Sequence, residues 1–486
     1  MTAVRSLIRG ALLTATAGAV AACGGAVGAG SGAAGSGAAG ANASAAGSAP
    51  TITDADSGPA AAHPAAAWPA FGQNAGKTGV APGLARAGKL GIRWRATLDG
   101  AVYGQPLVVG RDVIAATEND TVYALNASTG RVAWRRHLGT PVAQGALHGC
   151  GDIFPLGITG TPVYDRANGL VYAVAETTGY RFTLSGLSES HGTVKVERAF
   201  SLTTSHNSPA WDQQRPGLTL ANGRVYAAFG GLEGDCGPYV GAVAGLPVSG
   251  SGAQVTFFTP TSREGAVWGT AGPVAGPRGG LWISTGNGAA DSPPYDGSDS
   301  VTALSPALRR DGFFAPSSWA DDNAGDADLG STQPALAAGN STLIVGKRGT
   351  GYLLDTRSLG GIGGQRAQLR VCPAFGAAAV SGPVVYEPCI SGGTAAVSVD
   401  AAARRARVLW HGPAGADGSP VVGGGAVWVT SYGSGPGVLY ELNPATGRVT
   451  SSVGLGAALP HFSSLSLANG TAYVSTLTGV VAIRGA

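Results

Sequence analysis

The stretch Val122-Tyr123-Ala124-Leu125-Asn126-Ala127-Ser128-Thr129-Gly130-Arg131-Val132-Ala133-Trp134 reads as a strand, a tight Thr-Gly turn and a second strand that ends in tryptophan. Leu439 to Arg448, Leu-Tyr-Glu-Leu-Asn-Pro-Ala-Thr-Gly-Arg, repeats the strand and the turn. Working outward, eight small-residue openings each precede a short apolar strand, and they begin at Gly104, Gly160, Pro216, Gly272, Gln333, Gly376, Gly418 and Ser464. Their spacing of roughly 40–60 residues is that of propeller blades. Second strands such as Arg224-Val225-Tyr226-Ala227-Ala228-Phe229 and Ala426-Val427-Trp428-Val429-Thr430 are apolar or alternating, and no long 3.6-residue period interrupts them. A sandwich rarely needs so long a chain, and a β-helix would have shorter rungs. The reading is all-β, an eight-bladed β-propeller over residues 90–486.

Composition agrees with that reading. The 486 residues include 81 Gly and 29 Pro, as a chain of many tight turns requires, and only 12% are charged. No glycine recurs at every third residue, which excludes collagen. Lys and Arg number 31 against 28 Asp and Glu, a net charge of +3, which excludes a polybasic grip on nucleic acid or lipid headgroups.

Residues 122–134 resemble the repeat of PQQ-like (quinoprotein-type) β-propellers, A-x-D-x-x-T-G-x-x-x-W, with Asn126 at the usual Asp. The resemblance implies that Thr129-Gly130 turns between a blade's third and fourth strands and that Trp134 docks on the next blade. Weaker echoes are Gly351-Tyr352-Leu353-Leu354-Asp355, and Val397-Ser398-Val399-Asp400 followed by Trp410. The chain ends in Gly479-Val480-Val481-Ala482-Ile483-Arg484, a third-strand pattern with no fourth strand after it. Residues 91–98 supply that missing outer strand, which closes the ring and protects an edge, with Trp94 as the last blade's docking tryptophan.

Upstream of the propeller, Arg5 and Arg9 precede an apolar run from Ala11 to Ala22, too short to span a bilayer and suited to a signal peptide over 1–22. Val20-Ala21-Ala22-Cys23-Gly24 resembles a bacterial lipobox, which implies a lipid on Cys23. Residues 23–66 then form a Gly/Ala/Ser-rich flexible linker, and 67–89 a lead-in to the propeller. The expected location is outside the cytoplasm, on the extracytoplasmic face of the cell membrane, held through the lipid on Cys23. Cys150, Cys236, Cys372 and Cys389 allow three pairings; the preferred one is Cys372–Cys389 with Cys150–Cys236. No CxxC favours a metal instead.

No GxSxG elbow or HExxH helix occurs, and Gly76-Lys77-Thr78 lacks the rest of a phosphate loop. In quinoproteins Ca²⁺ polarises the quinone while a carboxylate takes the substrate's proton. On this chain the resemblance implies Asn287, in Thr285-Gly286-Asn287, as a ligand of the metal and a contact of the cofactor. It implies Glu176 as a second metal ligand, Asp326 or Asp328 as the catalytic base, and Lys347 as the group reaching the quinone. Asp291, Asp296 and Asp299, in the loop after Asn287, are expected to be solvated. The adjacent Cys-Cys pair and the CxxCH of the family's alcohol dehydrogenases do not occur. Two functions follow as expectations. The first is a non-catalytic scaffold of the cell envelope without cofactor, as in BamB-type lipoproteins, whose loops bind an envelope protein or a glycan and not nucleic acid. The alternative is a PQQ- and calcium-dependent dehydrogenase of an alcohol or sugar.

Overall fold

The computed structural model describes residues 66–82, 88–390, 392–431, 433 and 435–485, so the expectations for the signal peptide, Cys23 and residues 24–65 lie outside it. Eight sheets, each with four regular antiparallel strands, follow one another along the chain. Blades 1 to 7 take their four regular strands from residues 107–137, 163–199, 219–258, 274–315, 335–370, 379–411 and 421–458. Blade 8 takes three strands from 465–485, and its outermost is Leu90–Thr97, antiparallel to Gly479–Gly485. The ring therefore closes as the two ends of the repeat pattern require.

Burial explains the sequence pattern. The second and third strands of a blade are covered on both faces by neighbouring blades, so Thr121–Asn126 and Ala426–Thr430 are buried almost throughout. Outer strands alternate, as in Leu90–Thr97 and Arg405–His411.

Three outer-strand tryptophans perform one task. Trp134 in blade 1 lies on Gly192 of blade 2 and donates to the Glu189 carbonyl at 2.8 Å. Trp410 in blade 6 covers Gly447 and donates to Pro444 O at 2.9 Å. Trp94 in blade 8 covers Gly130 and donates to Ala127 O at 3.0 Å. Each glycine under an indole has φ between 64° and 72°, and a methyl group there would collide with the ring. At Gly130 and Gly447 the Thr-Gly turn is thus both a left-handed turn and a seat for the preceding blade, and His191-Gly192 serves the same way.

The lead-in is not a separate connector. Ala66–Trp68 adds a fifth strand to blade 1, antiparallel to Leu107–Val109, and Val80–Ala81 adds one to blade 7, parallel to Val421–Gly423. Between them the chain crosses the central channel. Pro69 O accepts from Tyr164 N of blade 2, Ala75 O from Ala275 N of blade 4, and Thr78 O from Val380 N of blade 6, each at 2.8 Å. Lys77 Nζ donates to Leu218 O of blade 3 at 2.9 Å. Ala66 lies beside Val109 and Trp68 beside Val108, so this finger rises from the end where first and second strands turn, and it returns there beside blade 7. Lys77 is the residue whose neighbours imitate a phosphate loop; it is instead a buried amine holding the finger in the channel.

Candidate functional site

In a meandering blade, the connection from second to third strand and the connection on to the next blade emerge at the same end. Glu176, Asn287 and Lys347 lie on connections of the first kind or at their start, and Asp326 and Asp328 on one of the second kind. All therefore belong to one face of the ring, opposite the end where the finger enters.

Four of the five converge. Asp328 Oδ1 accepts from Asn287 N at 2.6 Å, and Asp326 Oδ1 accepts from Asn287 Nδ2 at 2.8 Å. Lys347 Nζ lies 2.7 Å from Asp326 Oδ1 and 2.5 Å from Asp328 Oδ2. Burial alone would lower the lysine pKa, but Asp328 and Asp326 outweigh it and raise it, so the ammonium stays charged. Glycines allow this convergence. A methyl group on Gly286 would strike Asp328 Oδ1, and one on Gly346 would strike Asp328 O.

Glu176 is not in this group. It is buried at the end of its strand with Oε2 unpartnered, and burial, then Asp212, Glu118 and Asp120, raise its pKa well above the usual carboxylate range. Burial likewise pushes Glu118 and Asp212 up to about 8 and Asp120 up to about 9.

Asp299 corrects the expectation of a solvated loop. It is fully buried, with Oδ1 accepting from Leu329 N at 2.8 Å, and it ties the loop after Asn287 to the Asp328 segment. Asp296 is half-buried and accepts from Thr261 Oγ1 at 2.9 Å, whereas Asp291 is exposed. The loop turns back into the blade because Asn323 and Asp296 anchor it to the backbone of Gly288 and Ala290 at 2.9 and 3.1 Å.

Sequence reading missed an aromatic cluster. Lys347 Nζ lies 5.6 Å from the centroid of Trp268 and 5.7 Å from that of Phe375. Trp268 approaches Phe462 at 5.9 Å, and Phe375 stacks on Phe462 at 5.8 Å. These rings come from the connections leading into blades 4, 6 and 8, so they meet across the axis of the ring. Arg215 caps Phe462 at 4.7 Å. Between this cluster and Phe71 of the finger is a cavity of about 10 Å³, room for one water, lined also by Tyr103, Thr159 and Thr270. The sequence carries only a faint signal for the cluster: an aromatic residue stands directly before two of the eight small-residue openings, Tyr103-Gly104 and Phe375-Gly376.

Both preferred disulfides form, Cys150–Cys236 with Cα atoms 6.4 Å apart and Cys372–Cys389 with 5.6 Å. The second braces the site, because Gly349 packs on Cys372 and Ala374 N donates to Gly346 O at 3.2 Å.

The family model described as outer membrane protein assembly factor BamB matches residues 87–230. The ring superposes on quinohemoprotein alcohol dehydrogenase from Comamonas testosteroni with a TM-score of 0.61 at 15% identity, covering 86% of this chain and 80% of that one. The chain has the fold of a PQQ-like β-propeller. This propeller also resembles a europium-containing methanol dehydrogenase (TM-score 0.61, 15% identity, 84% of this chain and 89% of that one). BamB from Moraxella catarrhalis matches with a TM-score of 0.53 at 16% identity, over 81% of this chain and 97% of that one. No curated protein matches the chain. At these identities the structures share the fold, and function has to be argued from the site.

The site of this PQQ-like propeller fits the quinoprotein metal poorly. Calcium takes six to eight oxygens. Here one Asp328 oxygen is bonded to Asn287 N, the other faces Lys347, and Asp326 is 68% exposed. Asn287 Oδ1 is unpartnered, but Glu176 is held in the separate carboxyl cluster. Among the described residues no three His, Cys, Asp or Glu side chains converge as a metal-binding set.

Proposed function

We propose that this PQQ-like propeller is an exported, lipid-anchored scaffold of the cell envelope, acting without cofactor and using its channel-mouth loops to bind an envelope protein or a glycan. One observation carries the reading: the two aspartates of the site close on Lys347 instead of leaving an oxygen cage open. Aromatic rings meeting across the axis of the ring support it, since they offer a surface more than a slot. The lipobox-like sequence at Cys23 and the two disulfides support an extracytoplasmic location.

A second reading, a PQQ- and calcium-dependent dehydrogenase, draws on the convergence of Asn287, Asp328 and Lys347 beside the flat face of Trp268. One assay separates the two. Purified protein is incubated with PQQ and Ca²⁺ and tested for dye reduction with primary alcohols and aldoses. No reduction above the protein-free control is expected. Quinone-dependent reduction that Asn287→Ala abolishes would establish the dehydrogenase. Anchoring is tested separately by Cys23→Ser, which should move the protein from the membrane to the soluble fraction.

A further inference from the structure

We infer that the Lys347 ammonium is the resident cation of the channel-mouth site, fixed between Asp326 and Asp328 in the place a divalent ion would take, and that removing it creates a divalent-cation site. Four observations carry this. First, lysine and acid are tied through the main chain, since Lys347 N donates to Asp328 O at 2.9 Å, so the charge is positioned by backbone as well as by side chain. Second, the ammonium touches both carboxylates and lies over two aromatic faces, an arrangement that holds a cation from several sides. Third, Asn287 presents its NH₂ to Asp326 and leaves Oδ1 without a partner. A divalent ion between the aspartates would call for the opposite orientation, with the amide oxygen inward. Fourth, Gly286 and Gly346 let their segments approach Asp328 so closely that a methyl group on either would strike it.

The chemistry follows from charge. A tethered ammonium supplies one positive charge that no chelator removes, so the site should be indifferent to calcium. Without it, the two carboxylates are left unneutralised, and a turn of the Asn287 amide would bring its unpartnered oxygen to them. They form the beginnings of a weak oxygen site, with an affinity of about 10⁻⁴–10⁻³ M, as in extracellular calcium modules. This deepens the cofactor-free reading and rests on it, but the two can fail separately. Ion binding without quinone-dependent dye reduction would overturn only the resident-cation inference.

The test uses Tb³⁺ as a calcium mimic, with Trp268 close enough to sensitise its emission, and Ca²⁺ as competitor. The full chain is compared as wild type, Asp328→Asn, Lys347→Ala and the double variant. The wild type should give no more emission than Asp328→Asn. Lys347→Ala should bind one ion per chain, displaceable by Ca²⁺, and should lose it in the double variant. Should Lys347→Ala fail to fold by circular dichroism, Lys347→Gln takes its place. Wild-type emission that Asp328→Asn abolishes would overturn the inference. So would a folded lysine variant that emits no more than the wild type.

Discussion

Lys77→Met should stabilise the propeller, and by an amount that depends on pH in a calculable way. Lys77 is 2% exposed, donates one hydrogen bond to Leu218 O, and burial lowers its pKa from 10.5 to about 7. That gap corresponds to ~5 kcal/mol at 1.36 kcal/mol per pH unit. Between pH 7 and 10.5 the unfolded chain holds the lysine's proton and the folded chain does not, so this group makes stability rise with pH across that window. Below pH 7 both states are protonated and the full cost persists. Methionine has a similar length and no charge. It removes that cost and gives up one hydrogen bond worth about 1 kcal/mol. A net gain of about 2–4 kcal/mol is expected at pH 6, vanishing or reversing slightly near pH 10.5. Buried carboxyls such as Glu118 and Asp212, pushed up to about 8, act in the opposite sense, losing stability as pH rises from about 4 to 8. The difference between variant and wild type isolates the lysine from them. Urea unfolding of both proteins at pH 6, 8 and 10 measures it. A gain independent of pH, or a loss of stability at pH 6, would refute the argument that the finger holds an uncompensated buried amine.

Other perturbations test the ring and its staples. Trp94→Ala removes the indole that seats blade 8 on Gly130 and should cost about 3–5 kcal/mol, seen as a lower urea midpoint. A loss below about 1 kcal/mol would mean that the closing strand does not depend on this contact. Replacing Cys150 and Cys236 by Ala removes a link across 86 residues and should cost about 4.5 kcal/mol, against about 3 kcal/mol for Cys372 and Cys389, 17 residues apart. Equal midpoints for the two double variants would contradict the loop-length argument.

The face on which the candidate site lies was legible because a propeller's connections alternate between its two ends. Once the blades are counted, the ends of second strands at Glu176 and Asn287 must share a face with Lys347. Which of these residues meet was not legible. Asn287, Asp326, Asp328 and Lys347 come together because Gly286 and Gly346 permit backbone contact between adjacent blades. Glu176 matched its expected position along the chain equally well, yet it is buried among the carboxyls of blades 1 to 3. Spacing reports position along a chain and not distance across a channel.

The sequence alone determined the repeat, the number of blades, the strand that closes the ring and the tryptophans that dock it. All of these depend on local patterning, namely strand alternation, a Thr-Gly turn and an indole at a fixed offset. Tertiary structure alone decided the course of residues 66–82, which carry no strong strand pattern and are ordered by hydrogen bonds to six different blades. It also decided the aromatic closure of the channel and the ammonium between the two aspartates. The aromatic closure joins residues far apart in the chain and exists only after the ring has closed, whereas Lys347, 21 residues from Asp326, meets the aspartates only when blades 4 and 5 pack together.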